Sequence, residues 1–177
     1  MAKQVDITYG NALFELALDE NKIDELYAEV NSLIEILKEN SELIKLLNHP
    51  KISKDEKKQI VRNTFDGRIS SEITGLITMV VDKDHISSIV DILEYFVKLV
   101  KKEKNIGVVS VTSAVTLSDI QKVNIEKRLI ETTSYNSLET KYSVDESLIG
   151  GLVIRIEDRV VDSSIKSKLD KMSKMLS

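Results

Sequence analysis

The feature that most constrains this chain is a change of period at Asn105-Ile106-Gly107. Before it, apolar residues recur every three or four positions, as on one face of a helix; after it they begin to alternate, as on a half-buried strand. One continuous element cannot satisfy both periods, so the switch divides the chain into residues 1–105 and 106–177. The expected fold is α+β overall: an N-terminal all-α six-helix bundle followed by a small C-terminal α/β domain with a short mixed sheet.

The helical half reads element by element. Val5, Tyr9, Ala12, Leu13, Leu16 and Ala17 fall on one side of a first helix. Ile23, Leu26, Tyr27, Val30, Leu33, Ile34 and Leu37 give the clearest amphipathic pattern in a second. A short third helix over Ser41–Leu47 stops before His49-Pro50, because a proline ring disfavours helical geometry in the residue before it. Ser53 and Glu56 have capping-box spacing and open a fourth helix that ends near Gly67. Ser70 or Ser71 is placed to cap a fifth, with Ile73, Leu76, Ile77 and Val80 inward. Asp84 is placed to cap a sixth, with Ile86, Ile89, Val90, Leu93, Phe96, Val97 and Val100 inward. The sixth runs out in Lys101-Lys102-Glu103-Lys104.

Past the switch, β-branched Val108–Ala114 reads as a strand. Ser118 and Gln121 repeat the capping-box spacing and open a helix to about Thr133. Leu138, Thr140, Tyr142 and Val144 alternate with polar residues as a second strand. Leu152–Ile156 and Arg159–Val161 form a hairpin around Glu157-Asp158. Asp162 then caps a last helix carrying Ile165, Leu169, Met172 and Leu176 on one stripe.

Charge narrows the class of partner. The net charge is −4. The first 105 residues hold 15 basic and 19 acidic side chains, and the rest hold 10 of each. Duplex binding draws on an excess of base that releases counterions from phosphates, and neither half has one. No cysteine is present, which excludes a disulfide, a thiolate nucleophile and a Cys-ligated metal. The first twenty residues contain four acids and no apolar run of signal-peptide length. The longest apolar-leaning run, Ile73–Val81, is far short of the ~20 residues a membrane helix needs, so direct membrane insertion is not expected.

Reactive constellations are missing. There is no glycine-rich phosphate loop and no dinucleotide fingerprint. Gly150-Gly151 enters a strand rather than a helix N-terminus, which points to backbone geometry or close packing. His49 and His85 fall near helix ends, where a solvated or capping role is the ordinary one. Lys98, Lys101, Lys102 and Lys104 fit the negative end of a helix dipole, and Arg155 and Arg159 fit outward strand positions. No metal, cofactor or catalytic residue is expected. Surfaces that bind other proteins remain. In the first helix Gly10, Ala12 and Ala17 are small enough for another helix to approach, either one of the bundle's own or a partner's.

Three segments carry a family resemblance. Tyr9-Gly10-Asn11-Ala12-Leu13-Phe14-Glu15-Leu16-Ala17 resembles the first helix of the ATP synthase delta subunit family, which includes the mitochondrial oligomycin sensitivity-conferring protein. Leu47-Asn48-His49-Pro50 with Ser53 and Lys57 is similar to its next recurring segment. The longest match is Val144 through Ile156, then Val160-Val161-Asp162-Ser163-Ser164-Ile165 with Lys168-Leu169. Three positions depart from the family pattern: Gly10 stands for alanine, and Glu157 and Ser163 stand for glycine.

The resemblance implies a non-catalytic stator component of the rotary, proton-translocating ATP synthase. It implies that residues 1–105 bind the N-terminal helices of the alpha subunits on top of the catalytic head. Tyr9, Ala12, Leu13 and Leu16 of the first helix and Leu76, Met79 and Val80 of the fifth would carry that contact. It implies that residues 106–177 bind the C-terminal end of the b subunit of the peripheral stalk, with Ile165, Leu169 and Met172 as candidates. The complex would hold the chain peripherally at the cytoplasmic face of the cell membrane. The competing reading is a two-domain nucleic-acid-binding or regulatory adaptor. That reading asks for a basic sheet face with several strand aromatics, and Tyr142 is the only aromatic residue within the expected strands.

Overall fold

The computed structural model describes residues 2–175, with side-chain surroundings for 4–174. The chain forms two compact units, residues 1–100 and 101–177, and the division falls in the last turns of a helix.

Unit 1 is a helical bundle of α1 (Ala2–Asp19), α2 (Ile23–Glu39), α3 (Ser41–Leu47), α4 (Lys54–Phe65), α5 (Ser71–Asp82) and most of α6 (Ile89–Glu103). Its core is one cluster into which α2 sends Leu26, Val30, Leu33, Ile34 and Leu37 and α6 sends Ile89, Ile92, Leu93, Phe96, Val97 and Val100. α5 sends Ile73, Leu76, Ile77, Val80 and Val81; burying each large apolar side chain contributes roughly 1.5–3 kcal/mol, so α2, α5 and α6 anchor the bundle. The Ser53 cap of α4 forms as the spacing requires. The Ser53 amide donates to Glu56 Oε2 at 2.9 Å, and the Glu56 amide donates to Ser53 Oγ at 3.3 Å.

Three local expectations are revised. Ser70 occupies the N-cap position of α5 but makes no side-chain capping bond; its amide donates to Glu29 Oε2 at 3.0 Å instead. Asp84 does not cap the sixth helix. Its backbone has a positive φ of 57° and its carboxylate pairs with Lys54 Nζ at 2.8 Å. The chain then makes a 3-10 turn over Ile86–Ser88 before α6 starts at Ile89. The first-helix stripe is also two stripes. Leu13 and Ala17 are buried with Gly10, whereas Ala12 and Leu16 face outward. Gly10 sets that rotation, since a Cβ there would lie 2.6 Å from Tyr95 Cδ1 and 3.3 Å from the Ile92 carbonyl oxygen. The helix that approaches Gly10 closely is the bundle's own α6.

Unit 2 is a four-stranded mixed sheet of order β2-β1-β3-β4, built from β1 (Ile106–Ser113), β2 (Ser137–Val144), β3 (Leu152–Ile156) and β4 (Arg159–Asp162). β1 runs parallel to β2, with Val109 opposite Thr140, and antiparallel to β3, with Val111 opposite Ile154. The parallel pair is joined through α7 (Asp119–Thr132), capped by a Ser118–Gln121 box of the same design as that of α4. α7 packs on β2, where the Tyr142 hydroxyl donates to Glu126 Oε1 at 2.9 Å. Burial and that carboxylate push the Tyr142 hydroxyl up to about 12. Within β1, Val109 and Val111 are fully buried. The β3–β4 hairpin turns at Glu157, whose φ of +49° explains why glycine suits this position.

The last helix, α8 (Ile165–Met175), has Ser164 as its cap residue, and Ser164 Oγ accepts from the Ser167 amide at 3.2 Å. Asp162 reinforces the turn from outside, accepting from the Ser164 amide at 2.9 Å and from the Ser167 hydroxyl. These bonds hold the Asp162 carboxyl down at about 2. Leu176, expected on the α8 stripe, lies outside the described residues.

Candidate partner-binding surfaces

In unit 1, α1 and α5 are neighbours. One end of the pair is tied by Lys22 Nζ, just past α1, which donates to Glu72 Oε1 in the first turn of α5 at 2.5 Å and also pairs with Glu20 at 2.7 Å. The Lys22 ammonium and Glu72's own backbone amide hold the Glu72 carboxyl at about 2.

The seven residues expected to form a docking face here divide by depth. Leu13, Leu76 and Val80 are core residues, exposed by 2%, 7% and 0%. Tyr9 is half-buried and packs against the core, Ala12 is exposed, and Leu16 and Met79 stand out of the surface at 37% and 53% exposure. An apolar strip of Tyr9, Ala12 and Leu16 on α1 therefore lies on the helix that neighbours α5, with Leu13, Leu76 and Val80 supporting the two helices from beneath. Gly75, which escaped the sequence reading, lies one turn before Met79 on α5, in a shallow cleft shared with Lys58 and Arg62 of α4. It is exposed on α5, and a Cβ there would meet nothing within 4 Å. Glycine inside a helix costs roughly 0.5–1 kcal/mol relative to alanine, and that cost is the signal that could have singled it out.

In unit 2, the three candidates on α8 are all exposed: Ile165 at 43%, Leu169 at 51% and Met172 at 61%. A stripe that covered the sheet would be buried, and this one is not. Ile165 anchors its N-terminal end, since a Cβ on Gly150 would come within 2.6 Å of Ile165 Cδ1 and the Ile165 amide donates to the Gly150 carbonyl at 2.9 Å. Gly151 has φ +82°, and a Cβ there would strike the Ser163 carbonyl oxygen at 2.5 Å. The Gly-Gly pair thus serves chain geometry, and Ser163 fits without conflict because its hydroxyl turns to the Leu152 carbonyl at 2.8 Å.

The charged candidates have structural occupations. Lys101 pairs with Glu139 at 2.5 Å. His49 Nδ1 accepts from the Lys51 amide at 3.2 Å, and His85 leads into the 3-10 turn. Among the described residues no group of three His, Cys, Asp or Glu could hold a metal ion, and no helix is long and apolar enough to cross a membrane.

A helical bundle and a small α/β sheet, each with apolar side chains standing in solvent, define a structural, protein-binding subunit. A profile of the ATP synthase delta (OSCP) subunit matches residues 5–176, and this chain belongs to that family. Its relatives include the ATP synthase subunit delta of Lachnoclostridium phytofermentans, 49% identical over 99% of this chain and 97% of that protein. Those of Prochlorococcus marinus strain AS9601 and Clostridium perfringens strain SM101 are each 31% identical over nearly the whole of both chains. Among solved structures, a chain of the Toxoplasma gondii mitochondrial ATP synthase hexamer superposes with a TM-score of 0.76 over 97% of this chain and 96% of its own, at 18% identity, a likeness of fold. The chain is a non-catalytic component of the F-type ATP synthase.

Proposed function

We propose that this subunit is the stator joint of the synthase. In this reading residues 1–105 hold the N-terminal helices of the alpha subunits at the top of the catalytic head. Residues 106–177 hold the C-terminal end of the b subunit. The joint resists rotor torque, so that rotation drives catalysis rather than spinning the head. The chain sits peripherally at the cytoplasmic face of the membrane, held there by the complex.

The observation that carries this is that each unit presents exposed apolar side chains: Ala12 and Leu16 beside half-buried Tyr9 on α1 with Met79 on α5 in one, and Ile165, Leu169 and Met172 on α8 in the other. Exposed apolar residues grouped on one helix face mark binding surfaces more often than isolated ones do. A joint under load needs slow dissociation, and two docking surfaces on one chain supply it through effective concentration.

Membranes whose subunit ends after Asp162 test the proposal. The truncated chain is expected to stay on the catalytic head, and the membranes to hydrolyse ATP while pumping protons poorly. The double substitution Lys168→Glu with Lys171→Glu, on exposed positions, is expected to weaken coupling without unfolding unit 2. Normal proton pumping with the truncated chain still bound would overturn the stalk assignment.

A further inference from the structure

Unit 2 holds a second apolar surface, which adjoins the N-terminal end of the α8 stripe where Gly150 meets Ile165. An open cleft of about 810 Å³ lies between α7 and the segment Ile149–Leu152. Val115, Leu117 and Ile125 line it with Ile149 and Leu152. Val115 is 68% exposed and Ile149 64%, so two large apolar side chains stand in water at this one cleft.

Ile149 is the informative residue. Its backbone has φ +66° and ψ −38°, and it is β-branched. A positive φ in such a residue is a genuine outlier, of a kind that persists only where the surroundings impose it and that clusters at functional sites. Glycine would adopt the conformation without strain, and two glycines follow immediately. Keeping isoleucine here costs stability twice, through the backbone and through an apolar side chain left in solvent. The backbone closes a turn in which the Ile149 amide donates to the Glu146 carbonyl at 3.1 Å, which glycine would close equally, and most of the side chain stays in solvent.

The geometry points to the occupant: an amphipathic helix with carboxylates along one flank, seated in this cleft with Ile149 packed into its apolar face. Three observations select that chemistry. Gln121, Asn124, Ile125, Arg128 and Glu131 wall the cleft at helical spacing over roughly 15 Å of α7, the length of about three helical turns. An added strand is disfavoured because the backbone at the cleft is already engaged. β1 and β3 are each paired on both sides. The Val115 carbonyl accepts from Ser113 Oγ, the Gly150 carbonyl from the Ile165 amide and the Leu152 carbonyl from the Ser163 amide. Charge supplies the third. Lys127 and Arg128 line the cleft, neither forms an ion pair among the described residues, and Glu131 is the one acid among the residues that line it. Complementary charge of this kind chooses a partner and speeds its arrival. The inference does not require the stalk assignment, because the occupant is defined by its chemistry whichever protein carries it.

The test uses the isotopically labelled full chain and two synthetic amphipathic peptides of about five turns, roughly 18 residues. They share one leucine face; one has glutamates along the flank and the other lysines. The glutamate peptide is expected to shift the amide resonances of Val115, Ile125 and Ile149, and to bind about tenfold tighter than the lysine peptide at low salt. Lys127→Glu with Arg128→Glu is expected to reverse that preference. Ile149→Gly is expected to weaken the glutamate peptide about tenfold while Tm holds or rises, because strain is relieved as the anchor is lost. Equal affinity for the two peptides, shifts confined to α8, or a fall in Tm on Ile149→Gly would each overturn the inference. A stalk assignment that fails in membranes while these peptide results hold would leave the cleft intact.

Discussion

The two units solve the same problem with different economies. Among the described residues, unit 1 buries twenty-two apolar side chains in one cluster, whereas unit 2 buries Val109, Val111, Ala114 and Leu148. α7 has no buried residue, every residue of β4 is exposed, and the α8 stripe stands in solvent. Unit 1 is a finished core with one apolar strip to spare. Unit 2 keeps much of its apolar surface outside, and its elements are held largely by strand pairing and side-chain caps. The lesson is that one chain can concentrate its buried core in one half and leave the apolar surface of the other half outside.

The sharpest way to break this comparison is to place a carboxylate at matched apolar positions. Leu13→Asp in unit 1 buries an unpaired charge and is expected to cost several kcal/mol, unfolding the bundle while unit 2 stays folded. Leu169→Asp in unit 2 changes a side chain half in solvent and is expected to stay within about 0.5 kcal/mol. Thermal unfolding followed by circular dichroism measures both. A stable Leu13→Asp bundle would remove the contrast.

A smaller effect comes from the twin capping boxes. Ser53→Ala and Ser118→Ala each remove one hydroxyl that accepts from a helix N3 amide, and each is expected to cost about 1 kcal/mol. Amide hydrogen exchange should localise the first loss to unit 1 and the second to unit 2. Exchange that rises in both units after either change would show one cooperative body in place of two.

The smallest expected effect is the acid response. The Glu72 carboxyl is lowered from near 4.5 to about 2 by Lys22, and the Asp162 carboxyl from near 3.8 to about 2 by the Ser167 and Ser164 donors. Each folded value lies below its unfolded one. The stabilisation is therefore complete above the ordinary carboxylate range and is lost as pH falls toward about 2. Glu72→Gln should flatten the acid limb of unit 1 and Asp162→Asn that of unit 2, as read from unfolding midpoints between pH 5 and pH 2. Because Asp162 is exposed and Lys22, the partner of Glu72, is partly so, the change is expected to be modest. Acid limbs unaltered by either substitution would show that other carboxylates govern the response.

The architecture was legible in the residues because its signals are local and mutually consistent. The capping boxes at Ser53 and Ser118, the α2 periodicity and the switch at Asn105 each agree with the element they specify. What could not be read depends on tertiary neighbours. Asp84 carries a cap signal, but Lys54 from another helix claims its carboxylate. The apolar residues of α1 cover two adjacent faces, and which one turns inward is settled by Tyr95 and Ile92 seating against Gly10. Leu13, Leu76 and Val80 therefore read the same as Leu16 and Met79 in sequence, though they lie beneath the surface. Ile149 gave no warning, because nothing local marks a β-branched residue for positive φ.

The claim that each unit carries its own docking surface is tested most directly by a crossed binding measurement. Full-length variants Leu16→Asp with Met79→Asp, and Leu169→Asp with Met172→Asp, change exposed side chains only and should fold normally. Surface plasmon resonance then compares their binding to the isolated catalytic head and to the isolated peripheral stalk. The first variant is predicted to lose the head and keep the stalk, and the second to lose the stalk and keep the head. Folded variants that lose both partners together, or that bind both as tightly as the unaltered chain, would contradict a joint built from two separate surfaces.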